Sequence, residues 1–353
     1  MADFAQTGLI CTLQRLNETH LAQIEADLPA LAADRPISLI LPCHAGELEP
    51  PALSHICREL SGAAWLREVI VSMNGLDERA FAKATKLFAT LPRTRILWND
   101  GPELAPRHAS LLDCSPAELP HGKGFNVWAA LGAITSEAAS AIVATQDCDV
   151  ASFQRVNLAR LCYACAHPEL HFSFAKMYYS RVTDRLYGRV TRLFLAPLLQ
   201  ALVRTSGHQP LLDFLLSFRY PLSGECAIRR ELAASLPISS GWGLEIGQLA
   251  EVFRNVDPRE VCQVDGGSGY DHKHQPVAEG LVSMCRQIVQ TLLAQLATEG
   301  VKVTGSFREA VVSAFHRESA LALQRSAALA LMNGIPFDRA SEEGIIETFA
   351  KVL

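Results

Sequence analysis

Residues 141–149, Ala-Ile-Val-Ala-Thr-Gln-Asp-Cys-Asp, join a short apolar run to two carboxylates. Such a run predicts a buried strand, because strands covered on both faces are almost continuously hydrophobic. In an extended chain Asp147 and Asp149 point to the same side, and like charges that close repel one another unless a cation lies between them. Mg²⁺ and Mn²⁺ prefer hard oxygen ligands, often a carboxylate together with phosphates. The motif predicts a metal that bridges the protein and a nucleoside diphosphate, with a solvated turn as the alternative.

Other apolar runs of the same kind indicate how the first half of the chain folds. They lie at 37–41, where Pro42 ends the run, at 69–71 and at 95–98, and helical patterns such as 78–88 and 126–137 lie between the strands. Strands that alternate with helices predict a parallel α/β sheet, and ligands bind such sheets beyond the carboxyl ends of the strands. The polar residues at those ends are Cys43, His44, Ser72, Asn74, Asp147 and Asp149.

Both ends of the chain carry helical patterns. Apolar residues recur at mostly helical spacing before Arg35, from Leu13 to Leu28. After residue 276 the spacing predicts helices over 281–297 and 307–332, the second ending at Asn333-Gly334, a common helix stop. The apolar run 193–203 is too short to span a bilayer and predicts a buried helix.

Composition narrows the classes of protein that remain. With 32 Lys and Arg against 37 Asp and Glu, the net charge is −5, whereas a general nucleic-acid binder needs a basic surplus. Of the 353 residues 49% are hydrophobic, enough for a large core without disulfides. The ten cysteines are scattered and no signal-peptide pattern opens the chain. We therefore expect reduced thiols in a cytoplasmic protein.

Two segments have the composition of anion sites. Gly122-Lys123-Gly124 precedes an amphipathic helix, where backbone N–H groups and an ammonium suit a phosphate. By itself, however, the tripeptide favours a plain loop. Four arginines recur at spacings of four, four and three, which would align them on one helix face: Arg181, Arg185, Arg189 and Arg192. That stripe predicts a site for a phosphate or carboxylate, with a solvated face paired to Asp184 as the alternative.

Three later motifs predict a binding site less specifically. In residues 241–247, glycines flank Trp242 and Glu245, which suits a close-fitting pocket for a sugar or, equally, the start of a helix. The Tyr270–His274 stretch adds imidazoles, and His272 could be a metal ligand, with a polar surface loop as the alternative. Cys162 and Cys165 have zinc-like spacing, but their apolar, helical surroundings favour the core.

Nine segments, in order along most of the chain, resemble those of the glucosyl-3-phosphoglycerate synthases, retaining glycosyltransferases related to the mannosyl-3-phosphoglycerate synthases. They are SLILPCHAGELE, ILWNDGPEL, GKGFNVW, QDCDV, KMYYSRV, YGRVTRL, SFRYPLSGE, WGLEIGQLAEVFRN and QVDGGSGYDHKHQ. The resemblance implies a GT-A (Rossmann-like) α/β fold, with a mixed, mostly parallel sheet, flanking helices and a helical C-terminal segment. It divides the chain into a glycosyltransferase domain, 1–275, with a nucleotide-sugar half (36–150) and an acceptor half (151–275), and a helical region, 276–353.

The resemblance also implies an activity and its partners. Glucose would pass from a nucleoside diphosphate sugar, with UDP-glucose the first choice, to D-3-phosphoglycerate. The product would be glucosyl-3-phosphoglycerate, on the way to the compatible solute glucosylglycerate. Mg²⁺ or Mn²⁺ would be the cofactor. The partners would be the two substrates and a second copy in a homodimer, with neither nucleic acid nor membrane involved.

Site residues are carried over from the family by motif. The donor would be bound by Pro42, Cys43, His44, Ser72, Asn74, Lys123, Asp147, Cys148, Leu222, Trp242, Gly243, Leu244 and Glu245. The acceptor phosphate would be held by Gly188, Arg189, Val190 and Thr191, with His274 nearby. Asp149 and His272 would bind the metal, and the catalytic groups would be Asp149 and Glu245.

Some residues depart from the family pattern and leave alternatives open. Residues 42–49 begin less apolar and less acidic than in relatives, Ser72-Met73-Asn74 has no acidic residue, and Gln146 replaces a more usual residue. GDP-mannose, GDP-glucose or ADP-glucose are therefore alternative donors, and another small anion is an alternative acceptor. A nucleotide-sugar-binding module without turnover is the alternative of another class. Retention could follow from same-face attack or from a covalent intermediate.

Overall fold

The computed structural model describes residues 6, 8–48, 51–137, 139–268 and 279–353. Its strands are β1 Cys11–Leu13, β2 Ile37–His44, β3 Leu66–Asn74, β4 Thr94–Trp98, β5 Ile142–Thr145, β6 Phe174–Ser180, β7 Cys226–Arg229 and β8 Val261–Ser268. They form one eight-stranded sheet in the order β1-β8-β6-β7-β5-β2-β3-β4. Neighbouring strands run parallel except around β7, which is antiparallel to both β5 and β6. The predicted mixed, mostly parallel α/β sheet is confirmed.

Helices cover both faces of the sheet. They are α1 Leu21–Asp34, α2 Ala52–Ser61, α3 Glu78–Phe88, α4 Ala105–Leu112, α5 Lys123–Glu137, α6 Arg155–Ala166, α7 Ala196–Ser206, α8 Pro210–Ser217, α9 Arg230–Ser235, α10 Leu244–Asn255, α11 Glu279–Thr298, α12 Gly305–Met332 and α13 Arg339–Ala350. A π-helical turn, Val190–Leu195, leads into α7. None of the described helices is long and apolar enough to cross a membrane.

The strand order places a crevice in the middle of the sheet. From β2 the chain winds outward through β3 to β4, whereas β5 returns to the other side of β2. At such a reversal the loops after neighbouring strands diverge and leave room for a ligand. The carboxyl ends of β2 and β5, at His44 and Thr145, border this crevice.

Side chains alternate between two cores, one on each face of the sheet. Ile40 and Val143 face a core shared with α5, α7 and the C-terminal helices, whereas Leu39 and Ala144 face a core shared with α1, α2 and α6. Because the central strands are covered on both faces, they lack polar alternation, which explains why short apolar runs identified them. The predicted burial of 193–203 is confirmed by Leu193, Leu198 and Leu202, which are at most 1% exposed.

Two predictions about the first fifty residues are wrong in detail. The strand predicted to stop at Pro42 continues to His44, because β5 pairs only as far as Ile40 and Pro42 has only β3 beside it. A proline can occupy such a one-sided position, where a missing N–H breaks no ladder. The predicted N-terminal helix begins only at Leu21, and Leu13 instead ends β1 at the sheet edge beside β8.

The C-terminal helices agree with the sequence patterns and extend them. Helices α11 and α12 cover the predicted ranges, and α12 ends at Asn333 before Gly334, whose φ is +64°. Helix α13 was not predicted. Its Phe349 is fully buried and lies 5.1 Å, ring centroid to ring centroid, from Phe194, so the last helix packs beside the π-helical turn.

Candidate active site

Lys123 is the central residue of the candidate site. It is the first residue of α5, and its Nζ lies 2.6 Å from Asp147 Oδ1 after β5 and 2.8 Å from Glu245 Oε1 in the first turn of α10. Burial disfavours the ammonium, but the two carboxylates outweigh it and raise the pKa of Lys123 well above its ordinary value. Lys123 is therefore charged, and it is fixed between the turn after β5 and the first turn of α10. In the sequence, only the family resemblance placed these two segments in one site.

The turn before Lys123 is held by the end of β3. Asn74 Nδ2 donates to the Gly122 carbonyl at 3.1 Å, and the Gly122 N–H donates to Asn74 Oδ1 at 3.4 Å. Gly122 has φ +109°, a conformation that favours glycine. Ser72 is fully buried, and its hydroxyl accepts from Asn99 Nδ2 at 2.8 Å. Asn74 and Ser72 thus shape the crevice from beneath.

Sequence reasoning assigned no role to Gly224 or Glu225, although both lie in the SFRYPLSGE segment that it quoted. A Cβ at Gly224 would overlap Lys123 Nζ and the Asp147 carboxylate, so only glycine fits between the ion pair and the chain. Glu225 is fully buried and accepts from Tyr179 Oη at 3.0 Å and Gln146 Nε2 at 3.1 Å. This turn forms the floor of the site, and its strand, β7, is too short to have stood out in the sequence.

A buried lysine supports the same turn. Lys176 Nζ in β6 donates to the Ser223 carbonyl at 2.6 Å, and burial lowers the pKa of this lysine. Leu222, the predicted donor contact, is half-buried beside the core at the start of the turn.

Residues Trp242–Glu245 are positioned by the C-terminal region. The backbone N–H of Trp242 donates to Gln287 Oε1 of α11 at 3.0 Å, and a Cβ at Gly243 would overlap the Thr291 hydroxyl of the same helix. Leu244 and Glu245 are buried, whereas Trp242 is 46% exposed. The indole is therefore accessible at the mouth of the site while Glu245 is fixed inside it.

The end of β2 and the turn after β5 bring thiols and carboxylates together. Cys43, Glu47 and Cys148 each place one ligand atom within 4.8 Å of the others. The two thiols hydrogen-bond to each other, and that bond and burial hold the pKa of Cys148 well above its usual value. Burial and then the charges of Asp149 and Asp147 raise the pKa of Glu47 to about 7, although its bond from the His44 N–H, at 2.6 Å, opposes the rise.

These carboxylates are the candidate metal ligands. Mg²⁺ and Mn²⁺ prefer oxygen to sulfur, and Asp149 and Asp147 lie close enough to Glu47 for their charges to add to the effect of burial on its pKa. Asp149 lies half-buried in the turn, whereas Asp147 is engaged by Lys123. Pro42 is buried beneath this group and the His44 side chain is exposed at its edge. His272 and His274 lie outside the described residues.

The predicted four-arginine stripe is wrong. Arg181 to Gly188 form a tight turn closed by the Tyr187 N–H to the Arg181 carbonyl at 2.9 Å, and Arg185 pairs with Asp184 at the surface. The helical spacing misled because a helix begins only after Gly188, whose φ is +70°. Of the four arginines, the helical turn carries only Arg189 and Arg192.

The predicted acceptor segment does form one local unit. Gly188, Val190 and Thr191 are half-buried around the start of the turn. Arg189 Nε lies 2.9 Å from Glu342 Oε1, and Arg192 Nη2 lies 2.5 Å from Glu342 Oε2, so a carboxylate of α13 joins both arginines. Sequence reasoning missed Glu342, which has no motif around it.

The ten cysteines are free, eight of them buried. Cys162 and Cys165 lie inside α6, and among the described residues no metal-binding group includes either of them. Their predicted role in the core is confirmed.

Comparison with known proteins places this geometry in a family. The chain is 38% identical to the glucosyl-3-phosphoglycerate synthase of Persephonella marina over 358 aligned residues, which cover 100% of this chain and 89% of that protein. It is 33% identical to the synthase of Methanococcoides burtonii, over 94% of this chain and 83% of that protein. The chain belongs to the glucosyl-3-phosphoglycerate synthase family. It is therefore a glycosyltransferase.

Solved structures of this synthase family have the same fold. The synthase of Mycobacterium tuberculosis in complex with Mg²⁺ and uridine diphosphate matches at a TM-score of 0.63 and 27% identity, covering 84% of this chain and 89% of that chain. The same synthase in complex with Mn²⁺, UDP-glucose and phosphoglyceric acid matches at a TM-score of 0.62 and 26% identity, with the same coverage. A scan against protein-family models gave no match.

Proposed function

We propose that this chain transfers glucose from UDP-glucose to D-3-phosphoglycerate with retention of the anomeric configuration, giving glucosyl-3-phosphoglycerate. The ion-paired cluster of Lys123, Asp147 and Glu245 at the carboxyl edge of the sheet carries the proposal. It gains weight because a family member of the same fold has been solved with UDP-glucose and phosphoglyceric acid.

The donor diphosphate lies, in this proposal, against Lys123 and the crevice between β2 and β5. The ammonium is already oriented by two carboxylates, so little conformational freedom is lost when a phosphate oxygen approaches. The backbone before α5 adds N–H groups at a helix start, which attract anions. Asn74, by holding Gly122, keeps that backbone in place.

The residues at the turn after β5 fit a divalent cation. Asp149 is the proposed ligand, with His272 from the segment after β8, because Asp147 is committed to Lys123. Burial, and after it the charges of Asp149 and Asp147, raise the pKa of Glu47 to about 7, and a dication would stabilise its ionised form. Bound Mg²⁺ or Mn²⁺ would offset negative charge on the departing diphosphate.

The donor glucose fits between Trp242 and Glu245. The exposed indole offers a flat apolar face for a sugar ring. The buried carboxylate can accept hydrogen bonds from sugar hydroxyls through the oxygen not held by Lys123. This arrangement fixes the anomeric carbon while the diphosphate is held by the other half of the site.

Arg189 is the proposed ligand of the acceptor phosphate, with Gly188, Val190 and Thr191 lining the same turn. Fixing the phosphate brings the acceptor hydroxyl to the anomeric carbon and converts a bimolecular encounter into an oriented one. The hydroxyl oxygen forms the new bond to carbon as the bond to the diphosphate oxygen breaks. The electron pair and the hydroxyl proton both pass to the departing diphosphate.

Same-face attack is the route that the geometry favours over a covalent intermediate. An ammonium close to a carboxylate weakens it as a nucleophile, and Lys123 Nζ lies 2.8 Å from Glu245 Oε1. Glu245 instead orients the sugar and Lys123. The Glu245→Gln variant should therefore retain a few per cent of turnover, because no covalent bond to this residue is required.

A direct assay tests the proposed function. The purified protein is incubated with MgCl₂, UDP-glucose and 3-phosphoglycerate, and the product is identified by its mass and by cleavage with α-glucosidase after dephosphorylation. We expect a glucosyl-3-phosphoglycerate with an α linkage, abolished by a chelator and by Asp149→Asn. Absence of product with every common nucleotide sugar, or turnover that survives chelation, would contradict the proposal.

The same assay separates the alternatives. Replacing UDP-glucose by GDP-mannose, GDP-glucose or ADP-glucose ranks the donors by kcat/KM, which matters because Cys43 and His44 depart from the family pattern. A product of different mass would identify another acceptor. Binding of UDP-glucose in calorimetry without transfer or hydrolysis would indicate a module that binds without turnover.

We also propose a cytoplasmic homodimer. Ten unpaired cysteines suit a reducing compartment, and exposed apolar residues near the end of α12, among them Leu331 and Met332, offer surface for a second copy. Light scattering coupled to size exclusion should give twice the chain mass. A mass of one chain at micromolar concentration would contradict the dimer.

A further inference from the structure

A buried carboxylate from the C-terminal helix sits behind the acceptor arginine. The Glu342 side chain is only 5% exposed, and its two oxygens lie 2.9 Å from Arg189 Nε and 2.5 Å from Arg192 Nη2. A buried carboxylate is costly unless it is paired, so these contacts fix Glu342 as firmly as they fix the arginines. The pairing joins α13 to a turn more than a hundred residues earlier in the chain.

The two arginines use their guanidinium groups differently. Arg192 donates from Nε to the Tyr187 carbonyl at 3.1 Å and from Nη2 to the Leu186 carbonyl at 3.2 Å, so it holds the preceding loop. Arg189 donates from Nε to Glu342, and its Nη groups have no hydrogen bond to any part of the chain that the structure describes. Arg189 is also the more exposed of the two, at 28% against 19%.

This difference leaves one edge of the Arg189 guanidinium for a ligand. A guanidinium has five N–H donors in a rigid plane, and a partner on Nε fixes that plane while both Nη groups stay able to bind an anion. Two arginines against one carboxylate leave a net charge of +1, which suits a phosphate. If Glu342 merely competed with the acceptor phosphate for Arg189, its carboxylate would be expected to bind the Nη groups and not Nε.

We propose that Glu342 is a positioning residue for the acceptor site: it holds Arg189 by Nε so that the Nη groups meet the acceptor phosphate. The inference rests on the proposed role of Arg189 as the phosphate ligand. It makes the last helix of the chain a part of the acceptor site, although it contributes no group that touches the substrate.

The test separates acceptor affinity from donor affinity. Glu342→Gln keeps the shape of the side chain and removes its charge, and losing a charge-assisted hydrogen bond of this kind should raise the KM for 3-phosphoglycerate about tenfold or more. The KM for UDP-glucose should stay within about twofold, because Lys123 and Glu245 are untouched. Glu342→Asp, which keeps the charge, should recover part of the acceptor affinity.

Glu318→Gln is the matched control. Glu318 is a carboxylate of α12 that is 7% exposed and pairs with Arg204 of α7, which is 58% exposed, so its variant also removes the ion pair of a buried carboxylate, but with an arginine outside the acceptor turn. Its variant should leave both KM values unchanged. If it raises the KM for 3-phosphoglycerate as much as Glu342→Gln does, the effect is general destabilisation and the inference fails.

Further outcomes would overturn the inference for distinct reasons. A lower KM for 3-phosphoglycerate in Glu342→Gln would identify Glu342 as a competitor, and equal rises in both KM values would indicate a structural role. If Glu342→Gln does not fold, Glu342→Asp carries the same comparison. Arg189→Ala tests the proposed function separately. If this variant binds 3-phosphoglycerate as the unaltered protein does, Arg189 is not the phosphate ligand. If Arg189→Ala loses affinity for 3-phosphoglycerate and Glu342→Gln does not, only the role of Glu342 is contradicted.

Discussion

At Gly224 the absence of a side chain is what allows the ion pair of Lys123 and Asp147 to form. A methyl group there would overlap both charged groups, so the ammonium, the carboxylate or the chain at Gly224 would have to shift. The position needs glycine because of space and not because of backbone conformation, since Gly224 is not among the residues with positive φ. The ion-paired cluster of Lys123, Asp147 and Glu245 and the turn before β7 therefore constrain each other.

Gly224→Ala should lower kcat/KM for UDP-glucose about a hundredfold, because overpacking of about 2 to 3 kcal/mol would displace the ammonium. Steady-state kinetics with varied donor measure this. Gly132→Ala in α5 is the control, since a Cβ there meets nothing within 4 Å, and it should leave kcat/KM unchanged. Unaltered kinetics in Gly224→Ala would contradict the crowding.

The carboxyl of Glu47 should make stability depend on pH when no metal is bound. Its pKa is about 7 in the folded protein, mainly through burial, against 4.5 ordinarily. The folded state then binds more protons than the unfolded state between these values, so stability falls as pH rises from about 5 to 8. The Glu47→Gln variant should lack this loss, which amounts to roughly 2 kcal/mol after allowance for partial exposure.

Thermal unfolding in a chelator, from pH 5 to pH 8, compares the two proteins. The Tm of the unaltered protein should fall relative to that of Glu47→Gln as pH rises. Parallel curves would mean that burial and the charges of Asp149 and Asp147 do not raise the pKa of Glu47 as the structure indicates. Adding MgCl₂ should reduce the difference, since a cation stabilises the ionised form.

The sequence revealed individual residues of the site better than their partnerships. Lys123 and Asp147 were singled out as a glycine-flanked lysine and as one of a pair of carboxylates after a buried strand, with a plain loop and a solvated turn as the alternatives. Their contact at 2.6 Å could not be read from local patterns, because it depends on how α5 packs across β2 and β3. Glu342 gave no signal, since a single glutamate in an amphipathic helix usually faces solvent.

At the level of elements, amphipathic spacing and end signals predicted the long C-terminal helices well. Helix α12 begins after Thr304, whose hydroxyl accepts from the Phe307 N–H at 3.2 Å. It ends where Asn333-Gly334 predicted. The turn from Arg181 to Gly188 shows the limit of the method, because four arginines at helical spacing do not reveal that a glycine with positive φ starts the helix late.

The cap of α12 provides a prediction about stability alone. Thr304→Ala should lower the free energy of unfolding by about 1 kcal/mol, because it leaves the Phe307 N–H without its acceptor. Thr304→Ser keeps a hydroxyl and should differ little from the unaltered protein. Denaturant unfolding measures both, and kcat should change in neither, since Thr304 is exposed and its hydroxyl bonds to Ser306 and Phe307 of its own helix.

At the level of the whole molecule, the N-terminal strand covers one edge of the sheet. β1 pairs with β8, Gln263 Nε2 donates to Thr12 Oγ1 at 2.9 Å, and Arg160 donates to both the Gln14 and the Asp265 carbonyls. The mostly helical spacing of apolar residues before Arg35 predicted a helix there, so this strand was missed. Three residues are too few to show a period of two.

Removing residues 1–16 should lower the Tm by several degrees, because β8 would lose its outer partner and expose unpaired backbone groups. The truncated protein should also aggregate more readily on heating. Differential scanning fluorimetry and light scattering measure the two effects. An unchanged Tm would mean that β1 contributes little to the sheet.

The reversed direction of β7 decides where the polypeptide tolerates alteration. β7 is antiparallel to β5 and starts beside Thr145, at the edge of the sheet where β5 ends. The connection before β7 therefore places Gly224 and Glu225 in the candidate site. A spacer inserted between Ser217 and Gly224 would displace Gly224 and Glu225 from the candidate site. A spacer in the connection of residues 299–304 would leave both residues in place. Engineers who wish to graft a reporter onto this enzyme should choose the second place.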